Sequence, residues 1–179
     1  QLFHFYFLNH ESKEMPNRKD IRKILKEIDA ELFEMFNVLD DEGKLDFSKS
    51  KTKRNIAYTT YLYDEKLPYI FMQDRGGFSD LRVITHELGH AFEKYLNKDV
   101  ELFLQFTSNI QTAESQAITM ELIFAEQQNI LIKSKSSNDY KNYIILKNLI
   151  LIPEALCIYE FERLTYSSKS LEKKDLKRI

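Results

Sequence analysis

Glycine and proline are scarce in this chain, and their scarcity is the feature that most limits its fold. Only 4 glycines and 3 prolines occur among 179 residues. Because these residue types interrupt helices and shape tight turns, a chain with so few of them favours long helices. Apolar residues make up 43% of the sequence, enough for a buried core. The sequence therefore predicts a folded, mainly helical protein.

Four helices are predicted from apolar periodicity. Between Asn17 and Leu39, just after Pro16, eight apolar residues recur at the three-and-four spacing of a single helix face. They are Ile21, Ile24, Leu25, Ile28, Leu32, Met35, Phe36 and Leu39. The other predicted helices run from Leu81 to about Asn97, from about Asn109 to Ile132, and from Tyr140 to about Tyr166. Ser79 or Asp80 is expected to cap the second of them, and Pro153 is expected to interrupt the last.

A small β-hairpin is predicted between the first two helices. A polar loop, Asp40–Asn55, precedes "IAYTTYLY" and "LPYIFMQ", which are rich in β-branched and aromatic residues and are separated by "DEK". The turn "DRGGFSD" follows, with two glycines free to adopt positive φ. Since neither an internal repeat nor a second core is evident, residues 1–179 are predicted to form a single, mainly α domain with a small hairpin.

Charge and composition exclude several classes of protein. The formal net charge of −2 provides no basic surface for nucleic acid. No stretch reaches the roughly 20 apolar residues of a spanning helix, so no membrane partner is expected. The single cysteine, Cys157, cannot form an internal disulfide, and no signal peptide is recognisable after Gln1. A cytoplasmic protein, or a piece of a longer one, is predicted.

The stretch "VITHELGHAFEKY", Val83–Tyr95, contains two of the four histidines. Residues four apart on a helix point the same way, so His86 and His90 can bind one ion, and Glu87 can take a proton from a water bound to it. The competing interpretation is an ordinary amphipathic helix with two incidental histidines. Gly89 favours the metal site, because a glycine inside a helix is costly unless another backbone must approach it.

A catalytic zinc usually needs a third protein ligand. The candidates are His4, His10, Glu93, Asp99, Glu101, Glu114, Glu121 and Glu126. Glu93 is too near on the same helix, while Asp99 and Glu101 fall in a predicted turn. Glu114 and Glu121 share the apolar stripe of the next helix, where a carboxylate is costly unless it is paired or bound to metal. A salt bridge to lysine or arginine remains the alternative for both.

Three stretches together resemble the oligoendopeptidase F and thimet oligopeptidase family of zinc peptidases. "THELGHAFEKY" is similar to the family's zinc-binding helix, and "AESQAITMELI", Ala113–Ile123, is similar to its third-ligand helix. "KTKRNIAYTTYLYDEKLPYIFMQDRGGFSD" resembles the hairpin and glycine turn that precede the zinc helix. The resemblance covers the chain from about Asn17 onward.

The resemblance implies a zincin-like metallopeptidase domain with one zinc ion per chain. His86, His90 and Glu114 would be the zinc ligands, Glu87 the general base, and Glu121 a group that orients a ligand histidine. The strand "PYIFMQ" would pair with an extended peptide. Short cytosolic peptides would be the substrates. Family members are several times longer, so the chain is expected to lack their N- and C-terminal lobes, to hydrolyse peptides poorly alone, and to self-associate or bind the missing segments through "LFHFYFL" and "YIILKNLILI".

Two other functions stay open from the sequence. One is a short regulatory zinc protease of a different family. The other is a non-catalytic metal-binding module that has lost the residues that stabilise the transition state.

Overall fold

The computed structural model describes residues 18–74, 77–100, 108–127 and 137–167. These ranges contain helices α1 (Arg18–Ile28), α2 (Ala30–Asp41), α3 (Phe78–Leu96), α4 (Ile110–Glu126) and α5 (Ser137–Ser167), and strands β1 (Leu45–Asp46), β2 (Ala57–Leu62) and β3 (Leu67–Met72). The predicted fold class, mainly α with a small sheet, is confirmed. The chain divides into two compact units, residues 1–143 and 144–179, and the boundary lies within α5.

The single N-terminal helix predicted from Asn17 to Leu39 is wrong, because two helices occupy this region. Asp29 has extended backbone dihedral angles, and its carboxylate accepts hydrogen bonds from the N–H groups of Glu31 and Leu32. An aspartate that caps a new helix in this way competes with continuation of the preceding one. The apolar face survives the break, since every predicted core residue of this region except Ile28 is buried.

The predicted hairpin is confirmed, and a third strand joins it. β2 and β3 are antiparallel, while β1, which lies in the predicted polar loop, pairs parallel with β3 through Leu45 and Asp46. The strand order is therefore β1-β3-β2. The strand β3, which was predicted to pair with a peptide through "PYIFMQ", has β2 on one side and β1 on the other at Ile70 and Phe71, so β1 occupies part of that edge. Within the described residues, β2 presents the longer unpaired edge.

Helix α3 begins earlier than predicted. It starts at Phe78, after Gly77, whose φ is 93° and which has no side chain to cap the helix. The expected cap at Ser79 or Asp80 is wrong, because both residues lie inside the helix. Glycine suits the left-handed φ at the turn, so the backbone geometry of Gly77 sets the start of α3. Gly76 lies outside the described residues.

Helices α3 and α4 pack antiparallel at very short range. A Cβ atom added to Gly89 would lie 2.7 Å from the Cα atom of Ala117 and 3.1 Å from the carbonyl oxygen of Gln116. The backbone approach expected at Gly89 is therefore confirmed. The opposite face of α3 contributes Leu81, Ile84, Leu88, Ala91 and Tyr95 to the core. Leu96, at the end of the helix, is exposed.

The last two helices differ from their predicted limits. α4 ends at Glu126, and the remainder of the stretch predicted to reach Ile132 lies outside the described residues beyond Gln127. α5 continues through Pro153, so the predicted interruption is wrong. Proline removes one N–H donor, and the flanking turns of a long helix maintain the structure around that loss.

Large apolar side chains of the second unit are exposed along α5. Those in the stretch "YIILKNLILI" are Ile145, Leu149, Leu151 and Ile152, and the stretch "LFHFYFL" lies outside the described residues. Where the structure describes the chain, no helix is long and apolar enough to cross a membrane.

We expect Gly89→Ala to destabilise the protein, although alanine is normally the better helix former by about 1 kcal/mol. The new methyl group would meet the backbone of α4, which cannot rotate away, so a loss of about 1–3 kcal/mol is expected. Urea unfolding measures it. Leu96→Ala, an exposed change on the same helix, is the control and should shift the free energy of unfolding by less than about 0.5 kcal/mol. A Gly89→Ala variant more stable than the wild type would contradict this account.

Candidate metal centre

His86 and His90 lie one turn apart on α3 and direct ring nitrogens at each other. Their Nε2 atoms are 3.2 Å apart, and the rings are nearly perpendicular. Both side chains are only slightly exposed. In metal-free protein a proton can be shared between the two nitrogens, and a cation can take its place because both lone pairs point into the same space. The predicted convergence of the two histidines is thus present in the structure.

Glu114 on α4 supplies a third donor beside this pair. Its Oε2 atom is 3.4 Å from His86 Nε2, and its Oε1 atom is 3.7 Å from His90 Nε2. Ligands of a tetrahedral zinc at about 2.0–2.1 Å are separated from one another by roughly 3.3 Å. The three donor atoms therefore already have nearly the spacing that a tetrahedral ion requires. Among the described residues, these three are the His, Cys, Asp or Glu side chains that could hold a metal together.

Glu121 holds His86 from its other side. Its Oε1 atom is 2.7 Å from His86 Nδ1, and its Oε2 atom accepts a 2.8 Å hydrogen bond from Arg82 Nε. The carboxylate is completely buried, and both of its oxygens have partners, which a buried charge requires. With its proton on Nδ1, the imidazole of His86 keeps the Nε2 lone pair free for a cation.

Burial and charge act differently on the two imidazoles. Burial lowers the pKa of His86, but the hydrogen bond to Glu121 and the negative charges of Glu121, Glu87 and Glu114 outweigh it, so the net pKa is raised. Burial, assisted by the neighbouring His86, lowers the pKa of His90 despite the negative charges of Glu87 and Glu114. His90 therefore tends to remain neutral at pH 7, which is the form that binds metals.

Glu87 projects from α3 beside the histidine pair and is only 7% exposed. Thr59 on β2 places its hydroxyl 2.6 Å from Glu87 Oε2 and 3.0 Å from the carbonyl oxygen of the same residue. A carboxylate next to a prospective metal centre and shielded from bulk water is well placed to accept a proton. The sheet therefore contacts α3 at Glu87.

The other candidate ligands do not join the cluster. Glu93 is buried on α3 and lines a separate cavity of about 520 Å³, while Glu126 forms an exposed ion pair with Lys141. Asp99 is exposed. His4, His10 and Glu101 lie outside the described residues.

The shared buried stripe predicted for Glu114 and Glu121 is wrong for Glu114. Its side chain is 48% exposed, whereas that of Glu121 is fully buried. Ile110, one turn before Glu114, is exposed as well.

Two residues of the site were missed in the sequence. Arg82 lies four residues before His86, so helical spacing alone places it on the same face and could have indicated a partner for Glu121. Thr59 carries no such signal, because its contact with Glu87 depends on how the sheet packs against α3.

The mainly helical architecture with its small sheet is that of a zincin-like metallopeptidase domain, of which this chain forms part. The sequence matches the model of Peptidase family M3 over residues 9–178, and the chain belongs to that family. The predicted resemblance to oligoendopeptidase F and its relatives is thereby confirmed. None of the curated proteins gives a significant match.

Solved structures share the fold. A protein described as an oligoendopeptidase F from Bacillus anthracis str. Ames superposes with a TM-score of 0.82 at 24% identity, covering 93% of this chain and 32% of that protein. PZ peptidase A, solved with an inhibitor, gives 0.75 at 26% identity, covering 83% and 27%. A further oligoendopeptidase F structure gives 0.77 at 23% identity, covering 88% and 29%. This chain therefore spans about a third or less of each of these relatives.

We expect Glu121→Gln to destabilise metal-free protein by about 3 kcal/mol. Glutamine offers one oxygen and no charge. Its amide group must either face the Nε–H of Arg82, donor against donor, or face His86, which must then move its proton from Nδ1 to Nε2. Chemical unfolding with a chelator present measures the loss. Glu126→Gln, an exposed change on the same helix, should cost less than about 1 kcal/mol. Equal losses for the two variants would show that the buried carboxylate has no special role.

Proposed function

We propose that this chain is the zinc-binding part of a metallo-oligopeptidase that hydrolyses short peptides, with His86, His90 and Glu114 as zinc ligands and Glu87 as general base. The observation that carries the proposal is the spacing of the three donor atoms, 3.2, 3.4 and 3.7 Å between pairs. It supports a tetrahedral ion without rearrangement of the backbone. Membership of Peptidase family M3 supports the reaction class.

Zinc is the metal that this donor set fits. Two imidazole nitrogens and one carboxylate leave one tetrahedral position open, which is the arrangement of catalytic rather than structural zinc. When bound, zinc would acidify a water molecule and polarise a peptide carbonyl. Within the described residues a single such cluster is present, so we propose one zinc ion per chain.

The residues around the ion would have distinct tasks. Glu87 would accept the proton of the attacking water and later deliver it to the leaving amine. Glu121 would hold the ring of His86 through Nδ1 while Arg82 balances the charge of that carboxylate. Because Glu87 is buried, bulk water would have little access to its carboxyl group after it has accepted the proton.

A peptide substrate would pair with the outer edge of β2. β3 is flanked on both sides, while β2 is bonded on one side to β3, and Thr59 of β2 contacts Glu87. An extended peptide added to this edge would lie along the strand that touches the proposed base. Three further proposals rest on the family resemblance. The substrates are short peptides, the protein is cytoplasmic, and the chain forms a single peptidase domain that lacks the family's terminal lobes.

Removal of one ligand should weaken zinc binding. We expect chelator-treated wild-type protein to take up one zinc ion per chain in a titration followed by elemental analysis. Glu114→Ala should lose most of this affinity, and Glu121→Gln should weaken it by roughly 10–100-fold. Glu126→Gln is the control on the same helix and should bind zinc like the wild type. Full zinc affinity in Glu114→Ala would remove this residue from the ligand set.

Glu87→Gln should separate metal binding from hydrolysis. Glutamine keeps the size of the side chain but is not a base, so zinc stays bound while the hydrolysis of fluorogenic peptides falls by at least ~100-fold. Glu93→Gln, at a second buried carboxylate of α3, is the matched control and should leave turnover unchanged. If Glu87→Gln remained as active as the wild type, the proposed reaction would be wrong.

A further inference from the structure

Thr59 touches the side chain of Glu87 at the point where β2 meets α3. Its hydroxyl oxygen lies 2.6 Å from Glu87 Oε2 and 3.0 Å from the Glu87 carbonyl oxygen. A threonine hydroxyl has one proton to donate, and the shorter contact with a charged acceptor is the stronger of the two. The hydroxyl therefore binds mainly one carboxylate oxygen, with the backbone of α3 as a second acceptor.

Only one oxygen of Glu87 is used in this way. Across the ranges that the structure describes, no hydrogen bond involves its Oε1 atom, although the residue is 7% exposed. We propose that Thr59 is a positioning residue that holds Glu87 through Oε2 and leaves Oε1 to take the proton of the attacking water. This inference rests on the proposed peptidase reaction.

A positioning group is needed here because glutamate is a flexible side chain. Fixing its rotatable bonds costs free energy, and a base that wanders by about 1 Å loses much of its efficiency. Thr59 can supply this restraint because it is itself fixed. It pairs with Ile70 in the β2–β3 register, and Ile70 is completely buried.

The placement of Thr59 also separates its effect on the chemical step from its effect on peptide binding. Thr59 lies in the strand whose edge is proposed to bind the peptide, but its hydroxyl points at the base and is occupied there. Loss of this hydroxyl should therefore change the rate of the chemical step more than the binding of peptide, and a lower kcat with an unchanged KM is expected.

The chain offers closely matched variants for a test. Thr59→Val keeps the shape of the side chain and removes the hydroxyl, and Thr59→Ser keeps the hydroxyl. Thr119→Val makes the same chemical change at an exposed threonine of α4, outside the proposed site. We expect zinc content to match the wild type in all three. Thr59→Val should lower kcat by at least about tenfold with KM within twofold, and Thr59→Ser should restore most of the loss. In a Glu87→Gln background Thr59→Val should have no further effect.

Unfolding of metal-free protein tests the contact without any turnover. In a double-mutant cycle of Thr59→Val and Glu87→Ala, the two changes should be coupled by about tenfold or more in the unfolding equilibrium constant. Coupling below twofold, or a kcat loss in Thr119→Val equal to that in Thr59→Val, would overturn the positioning role. Unchanged activity in Glu87→Gln would instead overturn the proposed reaction while leaving the measured coupling intact.

Discussion

The close contact of α3 with α4 is the constraint on which the site depends. Gly89 allows the backbone of Ala117 to come within 2.7 Å of where a Cβ atom would lie. At a larger separation, Glu114 and Glu121 would not reach the histidines, which lie three residues before and one after this glycine. The absence of a side chain at Gly89 thereby lets α3 and α4 approach closely enough for their histidine and glutamate side chains to meet. The cost of a glycine in a helix is offset at this position by that proximity.

Three carboxylates surround the two imidazoles, and each is treated differently by the fold. Glu121 is fully buried and bound at both oxygens, Glu87 is nearly buried and bound at one, and Glu114 is half exposed. So many negative charges close together repel one another, and Arg82 is the one cation in direct contact with them among the described residues. A divalent cation between His86, His90 and Glu114 would balance this excess, which explains why the fold tolerates it.

The sequence predicted the elements that depend on local pattern. The helices, the hairpin, and the His86, His90 and Glu114 cluster follow from periodicity, spacing and family resemblance. The features that were missed depend on tertiary contacts. β1 has only two residues and exists because β3 lies beside it, and the break at Asp29 depends on a capping bond that competes with a continuous apolar stripe. Thr59 reaches Glu87 only because a sheet packs on a helix, and no spacing along the chain encodes that distance.

The three proposed ligands differ in exposure, and this difference would affect how a metal ion binds and is released. Both histidines are sheltered and one is braced by Glu121, whereas Glu114 stands at the open rim on a flexible side chain. Rotation of that one carboxylate would open the coordination sphere while the imidazoles stay in place. Metal exchange would then be stepwise, with Glu114 dissociating before the histidines. The lifetime of the bound ion would depend on this side chain more than on the stability of the fold.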